Sequence, residues 1–579
     1  MIRLSRIGAL MVLAGAAHAQ PIRPIDGSFN NVQNPEWGSV DTRLVRAAPA
    51  AYGDGVSTPA GAGRVDPRVI SNSCADQGRD PIWSDRVLTS MTIFWGQFLD
   101  HDIDLTEPPA GPVEPMMITV PADDPFFNPD DTPVLPFLRS RYDHTTGTGP
   151  GNPREQVNQI SAYIDGSAVY GDTPARAAAL RTGFQGKLRV GPGDLLPLNT
   201  LGLGMANPFG VPDEILYAAG DVRGNENPAL TTLHTIFVRE HNRRCDELLL
   251  TSPFMPDEQL YQSARRWVGS LMQHITYHEF LPALLGPDAP GPYAGYDTAI
   301  NAGIANEFAH AAYRMGHTMV NPMLPRFGDD GQPFADGHLD LLTSFFNPAP
   351  VAEEGGLDAI VRGLTRTASQ EIDMQIVDDL RNFLFPAGSG GMDLASVNIQ
   401  RGRDHGLASY NAHRIAYGLP AATTWADVTS DTNVQQALAE LYTSPDDADL
   451  WVVGLAEDHL PGASLGPTFT AIIADQFARL RDGDRYWYER IHAASELDEI
   501  RSTTLRDVIE RNTGVTLLQP NVFYLSVDFN ADGLLNFDDI DAFVNFFLNE
   551  DARADLNADG NLNLDDLQIF IDAFFTFNG

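Results

Sequence analysis

Gln97, Asp100 and His101 fall within the run Trp95-Gly96-Gln97-Phe98-Leu99-Asp100-His101-Asp102-Ile103-Asp104-Leu105. Ahead of and within it, Val87, Leu88, Met91, Phe94, Trp95 and Phe98 recur at three- and four-residue steps. That period predicts an amphipathic helix starting near Ser84, a suitable N-cap. On it Gln97 lies four residues from His101 and three from Asp100, so the three side chains face one space. An imidazole titrates near neutrality and suits proton transfer. Burying these groups unpaired beside an aromatic core costs on the order of a few kcal/mol each. A solvated helix end explains the same residues equally well, so partners elsewhere in the chain decide.

Four further stretches carry candidate chemistry. Ser161-Ala162-Tyr163-Ile164-Asp165-Gly166-Ser167 places oxygen-bearing side chains at 161, 165 and 167. They could converge on a hard cation such as Ca²⁺, which takes six to eight oxygens, or form a self-satisfied turn. Arg223 and Glu226 sit just ahead of a clear helix through Leu230, Leu233, Ile236 and Phe237. They read as a weak surface ion pair or as a fixed cation over a reactive centre. A helix over 306–320 carries Ala309, Ala311, Ala312 and Gly316, which let a flat ligand approach. Arg314 and His317 share one of its faces, with His310 as a rival ligand. Ser396-Val397-Asn398-Ile399-Gln400-Arg401-Gly402-Arg403-Asp404-His405-Gly406-Leu407 is too densely polar for a plain core helix. His274 and His278, four apart on a helix over 265–285, have zinc-binding spacing but no third ligand in view.

Gly-Gln-Phe-Leu-Asp-His-Asp at 96–102 resembles the distal helix motif of the animal-type haem peroxidases, the peroxidase–cyclooxygenase superfamily. The other stretches resemble that family's segments in the family's order, over roughly 25–515. The resemblance implies that His317 ligates the iron of haem b and that the residue matching Asn398 accepts its N–H. It implies His101 as acid–base, Arg223 as the catalytic cation and Gln97 as the group orienting water or a small anion. Asp100 and Glu226 would form ester links to haem methyls, Arg401 and Asp404 would be structural supports, and Arg314 or Arg401 would reach a propionate. Asn227 stands where a methionine would make a third, sulfonium link, so none is expected. Asp102, Ser161, Tyr163 through its carbonyl, Asp165 and Ser167 would hold one Ca²⁺ and clamp the distal helix. The reaction implied reduces hydrogen peroxide and oxidises a halide, pseudohalide or phenolic donor through a ferryl intermediate. A fatty-acid dioxygenase of the same superfamily is the enzymatic alternative, although no radical tyrosine can be assigned from sequence. A non-catalytic adhesion or matrix protein is the other.

The elements that must hold these residues fit a mainly α fold. A large helical domain with long irregular loops is expected over 20–520, wrapped by the Pro-, Gly- and Asn-rich segment 20–83. A small calcium-binding domain of EF-hand or dockerin-like type is expected over 525–579. There Asp528, Asn530, Asp532, Asn536 and Asp539 repeat as Asp555, Asn557, Asp559, Asn563 and Asp566, with Asn561 also supplying an oxygen. Each copy places oxygens at loop positions 1, 3, 5, 9 and 12, and Gly533 and Gly560 occupy position 6. Ile540, Phe543, Phe546 and Phe547, then Leu567, Phe570, Ile571 and Phe574, give two apolar helix faces. A cohesin-like or cell-surface partner would suit such a module.

The chain has 579 residues and a formal charge of -39. That charge disfavours nucleic acid, whose phosphates it would repel, and anionic membranes. Residues 1–19 read as a signal peptide: Arg3 and Arg6, an apolar run, then Ala17-His18-Ala19. No later stretch is long enough to span a membrane, so a secreted, extracellular protein is expected, with the periplasm or the cell surface as alternatives. Cys74 and Cys245 are the only cysteines, too few for a disulfide scaffold, and their pairing is left open.

Overall fold

The computed structural model describes residues 22–78, 81–127, 133–353, 355–384, 391–529 and 536–578. The leader at 1–19, and Asn530 and Asp532 of the first tail loop, lie outside these. Helices dominate. Among the described residues the sheet is confined to three two-stranded antiparallel ladders. One pairs Thr42 with Asn158 and ties the N-terminal wrapping segment to the stretch leading into 161–167.

The helices that carry the site and the tail are α1 (Ser90–Ile103), α2 (Pro228–Thr251), α3 (Asp257–Ile275), α4 (Asn306–His310), α5 (Leu394–Asp404), α6 (Pro467–Asp482), α7 (Phe537–Leu548) and α8 (Leu564–Asn578). Local sequence explains several of their starts. Asn227 caps α2 by accepting from Leu230 N at 2.8 Å, and Pro228 fills the first position, where no amide is needed. Asp393 caps α5 through Ser396 N at 3.2 Å. Helix α3 passes through one π-helical stretch, Thr276–Phe280, into Leu281–Leu285.

Two expectations are corrected. Helix α1 starts at Ser90, not near Ser84. Residues 82–90 are instead claimed by a strut formed by residues 367–371. Ser84 N donates to Ser369 O, Ser369 N to Leu88 O and Ser90 N to Thr367 O, at 3.1, 2.8 and 2.9 Å. A backbone committed to such pairing cannot also make helical bonds. The 306–320 helix is likewise broken. Ala311 leaves the helical region (φ -143°, ψ -75°), and the chain resumes as a 3₁₀ segment, Ala312–His317.

The same strut joins the tail to the body. Ala368 N donates to Leu556 O, inside the second acidic loop, and Gln370 N donates to Met319 O, two residues past His317; the distances are 3.1 and 3.0 Å. Phe543 and Phe570 stack at 4.1 Å between α7 and α8. They share a buried cluster with Ile569, Leu556, Leu525, Val527 and, from the body, Val87 and Ala368. Of the expected apolar faces, Ile571 points outward instead, and Ile569, two residues away, is buried in its place. No described helix is long and apolar enough to cross a membrane. Cys74 and Cys245 are both free.

Candidate active site

A cavity of about 520 Å³ opens between α1, the start of α2 and the 3₁₀ segment. Gln97, Asp100, His101, Arg223, Glu226, Arg314 and His317 all line it. Its remaining walls are largely apolar, with Phe280, Met315, Leu341, Phe345 and Leu394 among them. A Cβ built on Gly316 would meet no atom within 4 Å, so the wall beside His317 is open.

On the α1 side the charges are tightly organised. Arg223 grips Asp221 with two bonds, Nε to Oδ1 at 2.9 Å and Nη2 to Oδ2 at 3.0 Å, and Nη2 also donates to Asp104 O at 2.8 Å. Its Nη1 reaches Asp100 Oδ2 at 3.4 Å. Burial opposes the charge on Asp221, but the Arg223 guanidinium holds its carboxyl at about 2. The guanidinium is thus a fixed cation. Burial pushes the Asp100 carboxyl up despite Arg223, and pushes Glu226 up to about 7. Gln97 is pinned at both ends: Nε2 donates to Glu226 Oε2 at 2.8 Å, and Oε1 accepts from Asn227 Nδ2 at 3.0 Å.

His101 is buried at 3% exposure. Its Nδ1 stands 3.7 Å from Asp221 Oδ1 and its Nε2 3.7 Å from Glu226 Oε2, beyond hydrogen-bond range. Nδ1 has no hydrogen-bond partner among the described residues. Burial and the nearby Arg223 hold the imidazole well below its ordinary value. It is therefore neutral near pH 7 and has a lone pair to offer.

His317 lies in a different neighbourhood. Its Nδ1 is 2.9 Å from Asn398 Nδ2, on α5. Burial and Arg314 depress its pKa to about 3, leaving the neutral, ligating form. Asn398 was expected to accept the imidazole N–H. Here its Oδ1 is taken by Arg314 Nη1 at 3.1 Å, so the amide presents its NH₂ instead. The rival, His310, accepts from Arg314 Nη2 at Nδ1, 3.2 Å, and lies edge-on to His405. A guanidinium only donates, so the proton of His310 sits on Nε2 and no lone pair remains. An amide can present either end, so His317 keeps that option.

Arg401 does not line the cavity. It donates to Leu138 O, Ser140 Oγ and Asp404 Oδ2 at 3.0, 2.7 and 3.1 Å. Asp404, one helical turn on along α5, draws it away, and only Arg314 of the two arginines faces the cavity. His274 and His278 both meet the Tyr488 hydroxyl rather than a third ligand.

Next to His101, Asp102 turns out of the cavity into the 161–168 loop. Its Oδ2 accepts from Asp165 N and Gly166 N at 3.0 and 3.1 Å, and its Oδ1 from Ala168 N at 2.8 Å and Ser167 Oγ at 3.2 Å. Ser161 Oγ donates to Asp165 Oδ2 at 3.1 Å. Gly166 takes φ +79° with its Cα against the Tyr170 ring, a position no side chain could fill. Burial and the charge of Asp165 raise Asp102 to about 7. Two buried carboxyls facing each other at raised pKa suit a cation. In the tail, Asp555 is likewise pushed to about 7 by burial, Asp566 and Asp559. Asp566 accepts from Leu556 N and Asn563 N, Asp555 from Gly560 N, and Asp559 from Asn561 N. Asn557 accepts from Asp559 N. Gly560 sits at φ +79° in loop position 6. In the first loop, Asn536 and Asp539 cap α7 reciprocally.

Sequence reasoning passed over Asp221, Asp104 and Tyr313. Asp221 stands two residues from Arg223, a spacing that could have marked it as the arginine's holder.

Residues 22–523 match the family model described as animal haem peroxidase. Peroxinectin A of Dictyostelium discoideum is 38% identical over 529 residues, 88% of this chain and 97% of that protein. Peroxidasin homolog of Mus musculus is 36% identical over 87% of this chain, which spans only 37% of that longer protein. The solved structure of peroxidase A from Dictyostelium discoideum superposes with a TM-score of 0.81 at 37% identity, covering 87% of this chain and all of that one. With a matching model over most of its length, relatives above 35% identity and this cavity, the chain belongs to the animal haem peroxidase family and is a peroxide-reducing oxidoreductase.

Proposed function

We propose that His101 is the acid–base of peroxide reduction, Arg223 its electrostatic partner and His317 the residue that would ligate the iron of a haem b bound in this cavity. The observation that carries the reading is a neutral, unpartnered imidazole and a forked guanidinium lining one cavity with His317. Haem, when bound, supplies an iron that takes peroxide and stores its two oxidising equivalents for a donor.

The chain's own groups divide the remaining work. His101 accepts a peroxide proton at the nitrogen facing the cavity and returns it to the departing oxygen. Arg223, locked by Asp221, stabilises the negative charge that builds there without having to reorient. Gln97, fixed between Glu226 and Asn227, presents a set amide to water or a small anion. Asn227 thereby has two duties, capping α2 and holding Gln97, and no sulfonium link is proposed from it. Asp100 and Glu226, both with raised pKa, are placed to become haem esters. Arg314 would trade Asn398 for a propionate, freeing the Asn398 carbonyl to accept the His317 N–H and fix its tautomer.

One Ca²⁺ at Asp102, Ser161, Tyr163, Asp165 and Ser167 would brace α1 from behind His101, and a second would close the loop 555–566. The first loop, from Asp528 to Asp539, would take a third. The leader points to export, and donors are expected to be halide, pseudohalide or small phenols. Tyr313 gives the fatty-acid oxygenase alternative a tyrosine in the cavity, but its hydroxyl is directed at Gly96 O, 3.4 Å away. Oxygen uptake with a polyunsaturated fatty acid would favour that alternative. A cohesin-like partner for the tail is less well supported than packing against the body, because the Phe543–Phe570 cluster already includes Val87 and Ala368.

The test is peroxide-dependent oxidation of a dye by haem-loaded protein. His317→Ala should lose both the haem absorbance and the activity. Haem that stays with the polypeptide through acid–organic extraction supports the ester links. Full activity in His317→Ala would sink the assignment.

A further inference from the structure

Beyond the cavity, the most unusual side-chain grouping is a file of aromatic rings ending on two imidazoles. Tyr313 lines the cavity and stacks on Phe308 at 4.7 Å. Its ring lies 6.0 Å from Phe477 on α6, and Phe477 lies 5.9 Å from Tyr277. Tyr277 meets Trp487 at 4.8 Å, and Trp487 meets Tyr488 at 4.7 Å. Every ring in the file is buried.

The file has a polarity set by its hydrogen bonds. The Tyr313 hydroxyl is directed at Gly96 O, and that of Tyr277 donates to Phe477 O at 2.6 Å. A carbonyl cannot take up a proton at neutral pH, so neither phenol can lose one in place. The Trp487 indole N–H reaches Glu489 Oε1 only at 3.3 Å. The Tyr488 hydroxyl differs: His278 Nε2 is 3.0 Å away and His274 Nδ1 3.2 Å away. Burial holds His274 at about 4 and keeps His278 below its ordinary value, so both imidazoles are neutral and each keeps a nitrogen lone pair. His278 is exposed, which places a proton outlet at the surface.

We propose that this file carries oxidising equivalents from the cavity to Tyr488, making it a second oxidation site for phenolic donors too large to enter the cavity. The step balances with peroxide as oxidant. One electron leaves Tyr488 through Trp487 and Tyr277 toward the cavity, and its phenolic proton passes to His278. A phenol docked over His278 and the exposed Arg501 then returns one electron and one proton to Tyr488 and leaves as a phenoxyl radical, while His278 releases its proton to solvent and the cavity takes up one proton from solvent. Two such cycles consume one peroxide and release two waters. The route rests on the cavity being the site of peroxide reduction, so small-dye turnover is established first in every sample.

The experiment uses the full-length haem-loaded protein with peroxide and two donors, a small dye and tyramine tethered to dextran. A nitroso spin trap followed by peptide mass spectrometry locates radicals in the absence of donor. In the unaltered protein the trap should mark Tyr488. Tyr277→Phe and Trp487→Phe, which keep Tyr488, should lower that mark several-fold with dye turnover unchanged. Tyr488→Phe, which keeps the ring, should lose most oxidation of the tethered tyramine while dye turnover persists. Tethered tyramine oxidised equally by Tyr488→Phe, or a Tyr488 mark undiminished in both relay variants, overturns the proposal, as does trapping confined to Tyr313 or Trp487.

Discussion

Arg223 and Asp221 form a two-pronged ion pair at the edge of the cavity, with side-chain exposures of 12% and 3%. Neither residue is free to turn, because Arg223 also donates to the backbone at Asp104. The orientation of the Arg223 guanidinium therefore depends on a carboxylate that does not itself face the cavity.

Asp221→Ala should leave Arg223 buried without its counter-charge. Losing one partner of a buried pair costs about 3–5 kcal/mol. Thermal denaturation should register that loss, and peroxide reduction should slow because the guanidinium is no longer held. An unchanged melting temperature would show that the fork contributes nothing to the fold.

His101→Ala removes the proposed proton carrier and leaves Arg223 and His317 in place. General acid–base catalysis is worth about 10²–10⁴ in rate, so stopped-flow peroxide reduction should slow by that range with haem absorbance retained. A tenfold loss or less would point to another base.

Glu279 gives a pH prediction remote from the cavity. It is buried in the π-helical stretch, accepts from Leu505 N at 3.0 Å, and its Oε2 has no partner among the described residues. Burial raises its carboxyl from 4.5 to about 8. Between those values the folded chain holds a proton that the unfolded chain has released, so stability falls as pH rises from about 4.5 to 8. Glu279→Gln keeps the acceptor for Leu505 and removes the titration. Its gain over the unaltered protein should grow from pH 5 to pH 8, by an amount on the order of a few kcal/mol. Melting curves at both pH values check this, and a constant difference would refute it.

Calcium at the tail loop should stabilise the whole chain, because Leu556 is bonded to the strut that also reaches Ser90 and Met319. Asp566→Asn should lower calcium stoichiometry by one. At about 100 times its dissociation constant a ligand adds about 2.7 kcal/mol. Calcium should therefore raise the melting temperature less in the variant than in the unaltered protein, and chelator should bring the two together. Equal calcium responses would mean that the loop holds no ion.

Much of the site was legible because its chemistry rests on short local spacings. Gln97, Asp100 and His101 share one helix face, and the 161–167 loop carries its own oxygens. Arg401 carried two readings, structural with Asp404 or reaching a propionate, and its spacing along α5 could not choose between them; Asp404, the Leu138 carbonyl and the Ser140 hydroxyl capture it for the first. The start of α1 was misjudged for a related reason: helical period continues through 87–89, but a strut nearly 280 residues away takes those backbone groups.

Residue order alone determined which side chains could share a helix face or a loop, because those distances follow from local geometry. Family membership was readable on the same footing. Only the tertiary structure decided that Arg223 reaches Asp100 across the cavity edge, that Arg314 contests Asn398 with His317, that the tail packs on the body, and that a file of rings leads from the cavity to Tyr488. Those contacts mostly join positions far apart in the chain, and their formation depends on how whole helices pack rather than on any local preference.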